Sequence, residues 1–470
     1  MSERNPYERP PFIPADEKPR RISAQQADSR ADSLRHVLGG SQPLNAFDRA
    51  VYSKVIRRLM PFLFLCYVFA YIDRVNVGFA KLQMQQDLGM SDTVYGTGAG
   101  VFFLGYFFFE IPCNMALQKI GAKYWLGPIM IVWGIVSGCT MFVKSANEFY
   151  AIRFLLGLVE SGFFPGVILY LTFWFPRQYR AKMVAAFMTA VPLSGVIGGP
   201  ISGWLLGRMS AVGGLRGWQW LFLFEAVPSI LAGVATLLVL ADGPRKARWL
   251  TEQEKSILLH NLEAEEAEKL SQGHSHHTLA DAFRSPKVWL LCFVYFGFTM
   301  GNYGVGLWLP QIVKETLTKD PWYIGWLTTI PWTVAAVVMV SVGHHSDRTG
   351  ERRWHVALAG LVGAVAFALS ALPGISGALG LLALTIATAG IAAAYSTFWS
   401  MPTGILSGTA ASVGIAWINS VGNLAGFVSP FMVGRIRDAT HSMTLALLML
   451  SFFALTSAVV MVTCFSRQTK

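Results

Sequence analysis

The chain has 470 residues, 53% of them hydrophobic and only 14% charged, with a mean hydropathy of +0.45. Soluble domains carry roughly 25% charged residues, so composition excludes a water-soluble globular protein and points to a polytopic membrane protein. The net charge of +11 comes from basic residues that punctuate apolar runs rather than form one patch, which argues against a nucleic-acid partner.

The first segment, 1–50, is polar and rich in Arg, Pro, Ser and Asp, without the apolar core of a signal peptide. It is expected to be a disordered cytoplasmic tail. Twelve apolar stretches follow, near 59–80, 93–115, 124–143, 148–174, 182–206, 219–241, 286–312, 322–343, 354–372, 377–401, 410–434 and 442–465. Each is long enough to cross a bilayer. The expected fold is therefore all-α and integral to the membrane, with twelve transmembrane helices.

The first span contains two adjacent charges, in Tyr71-Ile72-Asp73-Arg74-Val75-Asn76-Val77. A charge at membrane depth costs roughly 2.5–3.5 kcal/mol on insertion scales, and such residues mark substrate paths and proton relays. Arg74 lies roughly 22 Å from the helix start near Leu59, too deep for easy snorkelling. Its planar fork matches a carboxylate, so it is the expected substrate anchor, the alternative being a permanent partner for an acid. Asp73 points about 100° away and is expected to face the fourth span. Arg153, roughly 9 Å in from Asn147, lies at a matching depth and is the expected partner of Asp73. Glu160 follows Arg153 by two helical turns on the same face, with Gly157 between them. A buried acid able to be neutral or charged near pH 7 suits proton coupling.

Glu110, near one end of the second span, and Glu225, read as beginning the sixth, are expected to pair with loop cations. The fifth span carries Gly195-Val196-Ile197-Gly198-Gly199-Pro200-Ile201-Ser202-Gly203, where small residues allow close helix approach and Pro a bend. The segment 242–285 is the one long hydrophilic stretch. Thr251-Glu252-Gln253-Glu254 resembles a capping box, with a charged helical stretch to about Leu270. His274, His276 and His277 have no companion ligand at metal spacing and read as loop residues, so no metal is expected. The seventh span holds Asn302 and Tyr303 between Gly301 and Gly304, a site where a helix can break. Ser396 and Trp399 lie in the tenth span, Asn419 and Asn423 in the eleventh. Cys66, Cys113, Cys139, Cys292 and Cys464 fall in apolar spans without metal or redox spacing and read as core residues.

Two halves are similar. Gly121-Ala122-Lys123-Tyr124-Trp125 matches Gly350-Glu351-Arg352-Arg353-Trp354 at an offset of 229, and Pro200 matches Pro430 at 230. The expected layout is two pseudo-symmetric six-helix bundles, 51–241 and 286–465, around the central loop 242–285, with a short tail at 466–470. Such repeats place a substrate site between the halves near the midplane. Lys54, Arg57, Arg58, Lys119, Lys123, Arg177, Arg180, Lys182, Arg245, Lys246, Arg248, Arg348, Arg352 and Arg353 crowd alternate loops, which places both termini in the cytoplasm. Arg435 and Arg437 go against this trend.

The loop Gly343-His344-His345-Ser346-Asp347-Arg348-Thr349-Gly350-Glu351-Arg352-Arg353 resembles the cytoplasmic signature of the major facilitator superfamily. In that resemblance Asp347, Arg348 and Arg352 gate conformations by charge pairing. The first-half counterpart, Gln118 to Lys123, lacks the Asp-Arg pair. Tyr71 to Asn76, with Arg153-Phe154-Leu155-Leu156-Gly157-Leu158-Val159-Glu160-Ser161-Gly162-Phe163-Phe164-Pro165-Gly166, resembles the anion:cation symporter family. Within it the chain looks most like the bacterial branch for tartrate, phthalate, hydroxyphenylacetate and sugar-acid transport. The resemblance implies proton-coupling roles for Asp73 and Glu160, and substrate contacts at Tyr106, Ser396, Trp399 and Asn419.

The function these features imply is proton-coupled uptake of a small organic anion by rocking alternating access, with substrate at Arg74, Tyr106, Asn302, Tyr303, Ser396, Trp399 and Asn419, and coupling at Asp73, Arg153 and Glu160. The expected setting is the cell membrane, as a monomer without cofactor, its partners the anion, protons and lipid. The rival readings are an anion exchanger or facilitator without proton coupling, and a non-transporting membrane sensor. No catalytic set is visible: there is no Ser-His-Asp pattern, HExxH or phosphate loop.

Overall fold

The computed structural model describes residues 46–271, 284–405 and 408–465. Residues 1–45 and 466–470 of the expected tails, and His274, His276 and His277, lie outside the described residues. The chain divides into two units, Met1–Ser53 and Lys54–Lys470. Residues 46–53 of the first begin a helix; the second carries every other described element.

The regular structure among the described residues is entirely helical and runs as twelve columns. The first column is α1 (Ala46–Val75) continued by α2 (Val77–Asp87); the second and third are α3 (Asp92–Ile120) and α4 (Ala122–Cys139). The fourth is α5 (Ala146–Glu160) with α6 (Phe163–Thr172), the fifth α7 (Arg177–Met188) with α8 (Ala190–Arg208), and the sixth α9 (Gly217–Val239). A separate helix, α10 (Glu252–Ser271), lies in the hydrophilic middle. The second half follows with α11 (Pro286–Thr316), α12 (Pro321–Thr349), α13 (Arg353–Ser370), α14 (Gly377–Phe398) with α15 (Ser400–Ile405), α16 (Gly408–Asn423) with α17 (Ala425–Thr440), and α18 (Thr444–Cys464). Ten columns are long and apolar enough to cross a membrane by length and composition; the second and eleventh complete the twelve.

Proline explains three of the breaks. It lacks an N–H and frees the carbonyl four residues back. Pro165, Pro192 and Pro402 free the carbonyls of Ser161, Met188 and Phe398, and the helices break at Ser161–Gly162, Thr189 and Trp399. The break expected at Asn302 does not occur: α11 runs unbroken through it. Its glycines serve packing instead, Gly301 against Phe367 and Ile391, and Gly304 against Leu450.

The matched glycines of the two halves have a common cause. Gly121 has φ +90° and Gly350 φ +69°, a left-handed backbone that only glycine adopts without strain. Each ends one helix, α3 or α12, just before the next. The expected capping box is also present. Thr251 N donates to Glu254 at 2.8 Å and Glu254 N donates to Thr251 Oγ at 3.3 Å. The Lys54 amine, 2.8 Å away, and the Thr251 amide hold the Glu254 carboxyl below its ordinary range.

Two helix pairs make the most extensive contacts between the halves. On one side α3 packs against α17; on the other α8 packs against α12. Gly96 meets the Pro430 backbone and Gly434 that of Asp92, while Gly199 would place a Cβ 2.6 Å from the Gly325 carbonyl. Small residues let these backbones touch, which is the use of the glycine run in the fifth column.

Of the five cysteines, Cys139 and Cys464 are exposed on the protein surface rather than in the core.

Candidate functional site

The centre of the site is an ion pair between the first and fourth columns. Arg74 Nε donates to Glu160 Oε1 at 3.1 Å, and Nη2 donates to the same oxygen. Glu160 is 1% exposed and Arg74 11%. Arg74 Nη1 also reaches across the halves to the Tyr303 hydroxyl at 3.4 Å. Its guanidinium lies 5.4 Å from the Tyr106 ring and 5.6 Å from the Tyr71 ring. Asn302, beside Tyr303, donates to the Tyr71 hydroxyl at 3.3 Å. Arg74, Glu160, Tyr106, Asn302 and Tyr303 are thus brought together, with Tyr71 added by the fold.

The expected pairing of Asp73 with Arg153 is not formed; no ion pair between them is present among the described residues. Arg74, one residue on, holds the acid of the fourth column instead. Asp73 accepts from the Ser137 hydroxyl of α4 and, at 3.4 Å, from the Asn76 amide. Its Oδ2 has no hydrogen-bond partner. Arg153 is 1% exposed; its Nη2 donates to the Ala99 carbonyl at 3.5 Å, while Nε and Nη1 have no hydrogen-bond partner. The Phe102 ring lies 5.0 Å from the Arg153 guanidinium and 5.2 Å from that of Arg74, within cation–π reach of both. Gly157 makes this possible, because any Cβ there would collide with the Phe102 carbonyl.

The other second-half residues have different neighbours. Asn419 Nδ2 donates to Glu110 Oε1 at 2.8 Å, and the Ser420 hydroxyl donates to Glu110 Oε2 at 2.9 Å. Glu110 is therefore tied to the opposite half by neutral donors, not to a loop cation. Ser396 donates to the Ala393 carbonyl of its own helix at 3.1 Å. Trp399 packs edge-on to Tyr295 at 4.8 Å, and Tyr295 shares a 2.7 Å hydroxyl contact with Tyr395. Glu225 likewise has no ion-pair partner from a loop among the described residues. It is 7% exposed within α9 and accepts from Ser202 at 3.3 Å.

The signature loop joins α12 to α13. Asp347 and Arg352 form an ion pair at 2.5 Å, and Arg352 also donates to Ser346 at 3.1 Å. Arg353 donates to the Val462 carbonyl of α18. Arg348 is exposed on the last turn of α12. Among the described residues, no group of three or more His, Cys, Asp or Glu could hold a metal ion.

A cluster that sequence reasoning missed closes one end of the interface between halves. Asp92 takes Lys81 at 2.7 Å and Arg437 at 3.0 Å, and Arg437 reaches Glu315 at 2.7 Å. Asp438 accepts from the backbone amides of Asp92 at 3.0 Å and Thr93 at 2.8 Å, capping α3 from the other half. Trp308 lies 4.0 Å from Lys81 and 5.5 Å from Arg437, so it belongs to this cluster. The available signal was Arg437, which broke the charge trend.

The profile described as Major Facilitator Superfamily matches residues 63–430. An Agrobacterium vitis protein named "Putative tartrate transporter" is 48% identical over 415 residues, covering 88% of this chain and 91% of its own length. A Pseudomonas putida protein named "Putative metabolite transport protein NicT" is 46% identical over 399 residues, covering 85% and 91%. Among solved structures, the partially occluded inward-open xylose transporter XylE from E. coli shares the fold at a TM-score of 0.70. It is 14% identical, with 88% of this chain and 98% of that one aligned.

Proposed function

The chain belongs to the Major Facilitator Superfamily and is a multi-pass membrane transporter rather than an enzyme, and from that footing we propose that it takes up a small organic anion together with protons. The relatives named for tartrate and metabolite transport support the substrate class. The observation that carries the coupling is the Arg74–Glu160 pair.

Arg74 is the cation of the site that also touches the opposite half, through Tyr303. A substrate carboxylate binding there must displace Glu160. A displaced Glu160 left charged and buried would be costly, whereas a protonated one is not. Carboxylate and proton therefore bind together. Asp73 is the second acid, facing Ser137 and Asn76. With substrate absent, Glu160 neutralises Arg74, so the empty carrier can reorient. That favours symport over obligate exchange, in which only the loaded carrier crosses. On the distribution of basic loops, the Asp92–Arg437 end faces outward and the Asp347–Arg352 loop and α10 face the cytoplasm. Tyr106, Asn302 and Tyr303 line the substrate beside Arg74; Ser396, Trp399 and Asn419 stand further along the second-half face.

Proteoliposomes with an imposed proton gradient test this reading. The purified protein should accumulate tartrate or a related carboxylate against its gradient, and collapsing the proton gradient should abolish accumulation. Glu160→Gln should keep binding and counterflow but lose proton-driven accumulation. Undiminished accumulation by Glu160→Gln would refute the coupling role.

A further inference from the structure

A second acid cluster lies behind the Arg74–Glu160 pair. Glu225 accepts from Ser202 through Oε1, and its Oε2 is buried with no hydrogen-bond partner. The Asn76 amide and Asp73 are its other polar neighbours. Asn76 sits at the break between α1 and α2, where it also donates to Asp73. The donors facing this cluster are the hydroxyl of Ser137 from α4, that of Ser202 from α8, and the Asn76 amide. The charged groups about Asp73 are Arg153 and Glu160, both on α5; Glu225 has Asp73 as its charged neighbour and no cation in ion-pair reach among the described residues.

The cluster is short of donors. Asp73 Oδ2, Asn76 Oδ1 and Glu225 Oε2 are three buried acceptors without a donor. A proton on a carboxyl turns one acceptor into a donor. It also removes the cost of a buried charge that no cation offsets. A cavity with hydroxyl groups on its wall adjoins the cluster. Asn76 and Ser202 line this cavity, which extends between α1, α2, α8, α11 and α12, with Ser194 and Thr328 as its other hydroxyl groups.

We propose that Glu225 is a further proton-binding residue of this transporter, linked to Asp73 through Asn76 and supplied through the cavity between the halves. This rests on the symport reading above and extends it: two carboxyls with one bridging amide titrate as a pair, so a proton leaving Asp73 is felt at Glu225. Glu225 then adds to the protons that travel with each substrate molecule.

Two readouts on the full-length protein test the proposal. The first is the infrared band of protonated carboxylic acid, recorded in the presence and absence of tartrate. The second is the proton-to-substrate ratio, taken from reversal potentials in proteoliposomes. Glu225→Gln keeps the size and the Ser202 contact but cannot bind a proton. It should lose one acid band, and its ratio should fall relative to the unaltered protein. An acid spectrum unchanged in Glu225→Gln overturns the proposal. A lost band with an unchanged ratio overturns the coupling role as well, since Glu225 is then a static buried acid. Should Glu225→Gln fail to fold, Asn76→Ala serves instead: the Glu225 band should shift as its bridge is removed, and an unshifted spectrum again overturns the link. An unaltered protein that moves substrate without protons refutes the symport reading, and the infrared arm still decides whether Glu225 holds a proton.

Discussion

At the scale of the residue, the site depends on two guanidiniums that share one aromatic ring. Phe102 lies 5.2 Å from Arg74 and 5.0 Å from Arg153, yet each cation has a different set of neighbours. Arg74 gains a carboxylate and a cross-half hydroxyl; Arg153 keeps two nitrogens without a hydrogen-bond partner. Lysine cannot replace Arg74, because a single ammonium cannot donate to Glu160 and Tyr303 in the same fork geometry. Truncating one partner of a buried, hydrogen-bonded charge pair costs about 2–5 kcal/mol. Arg74→Lys should therefore weaken carboxylate binding at least roughly 30-fold, as read by ligand-induced thermal stabilisation. Near-unaltered affinity would remove Arg74 from the substrate site.

At the scale of the element, the site depends on backbones that approach closely. Gly157 of α5 rests on the Phe102 carbonyl of α3. Gly157→Ala forces these helices apart and moves Arg153, Phe102 and Glu160 together. Overpacking of this kind costs about 1–3 kcal/mol, so the variant should melt at lower temperature and lose uptake before it loses fold. The cap of α10 is an independent case. Thr251→Ala removes the hydroxyl that accepts from Glu254 N, at a cost of about 1 kcal/mol, and should speed amide hydrogen exchange in the first turn of α10 without altering uptake. Because Glu254 is held below its ordinary range, chiefly by Lys54, its contribution is present at neutral pH and is lost only as acid protonates the carboxyl. Exchange in that turn should therefore rise when pH falls below the carboxylate range, once intrinsic rates are corrected for.

At the scale of the whole molecule, the Asp92 cluster and the glycine contacts of α3 with α17 and α8 with α12 hold the halves together at one end. Rocking needs these contacts to break. Arg437 joins Asp92 and Glu315, so Arg437→Gln removes two ion pairs at once. Spin labels at the exposed Gln86 and His441 should then report a larger share of long distances than in the unaltered protein. An unchanged distance distribution would show that the cluster does not hold this end closed.

Much of this was legible in the order of residues. The bilayer sets a length, and apolar runs of that length repeat twelve times. A buried charge is costly, so Asp73, Arg74, Arg153 and Glu160 stand out wherever they pair. The need for a left-handed backbone explains why Gly121 and Gly350 recur. Which charges pair was decided only by tertiary structure. Depth along a helix axis is a one-dimensional estimate that matched Asp73 with Arg153, whereas rotation about the axis gave Glu160 to Arg74. The same holds for Glu110, Glu225 and Asn419: their partners come from helices far away in sequence, and no spacing along the chain encodes the angle at which two helices meet.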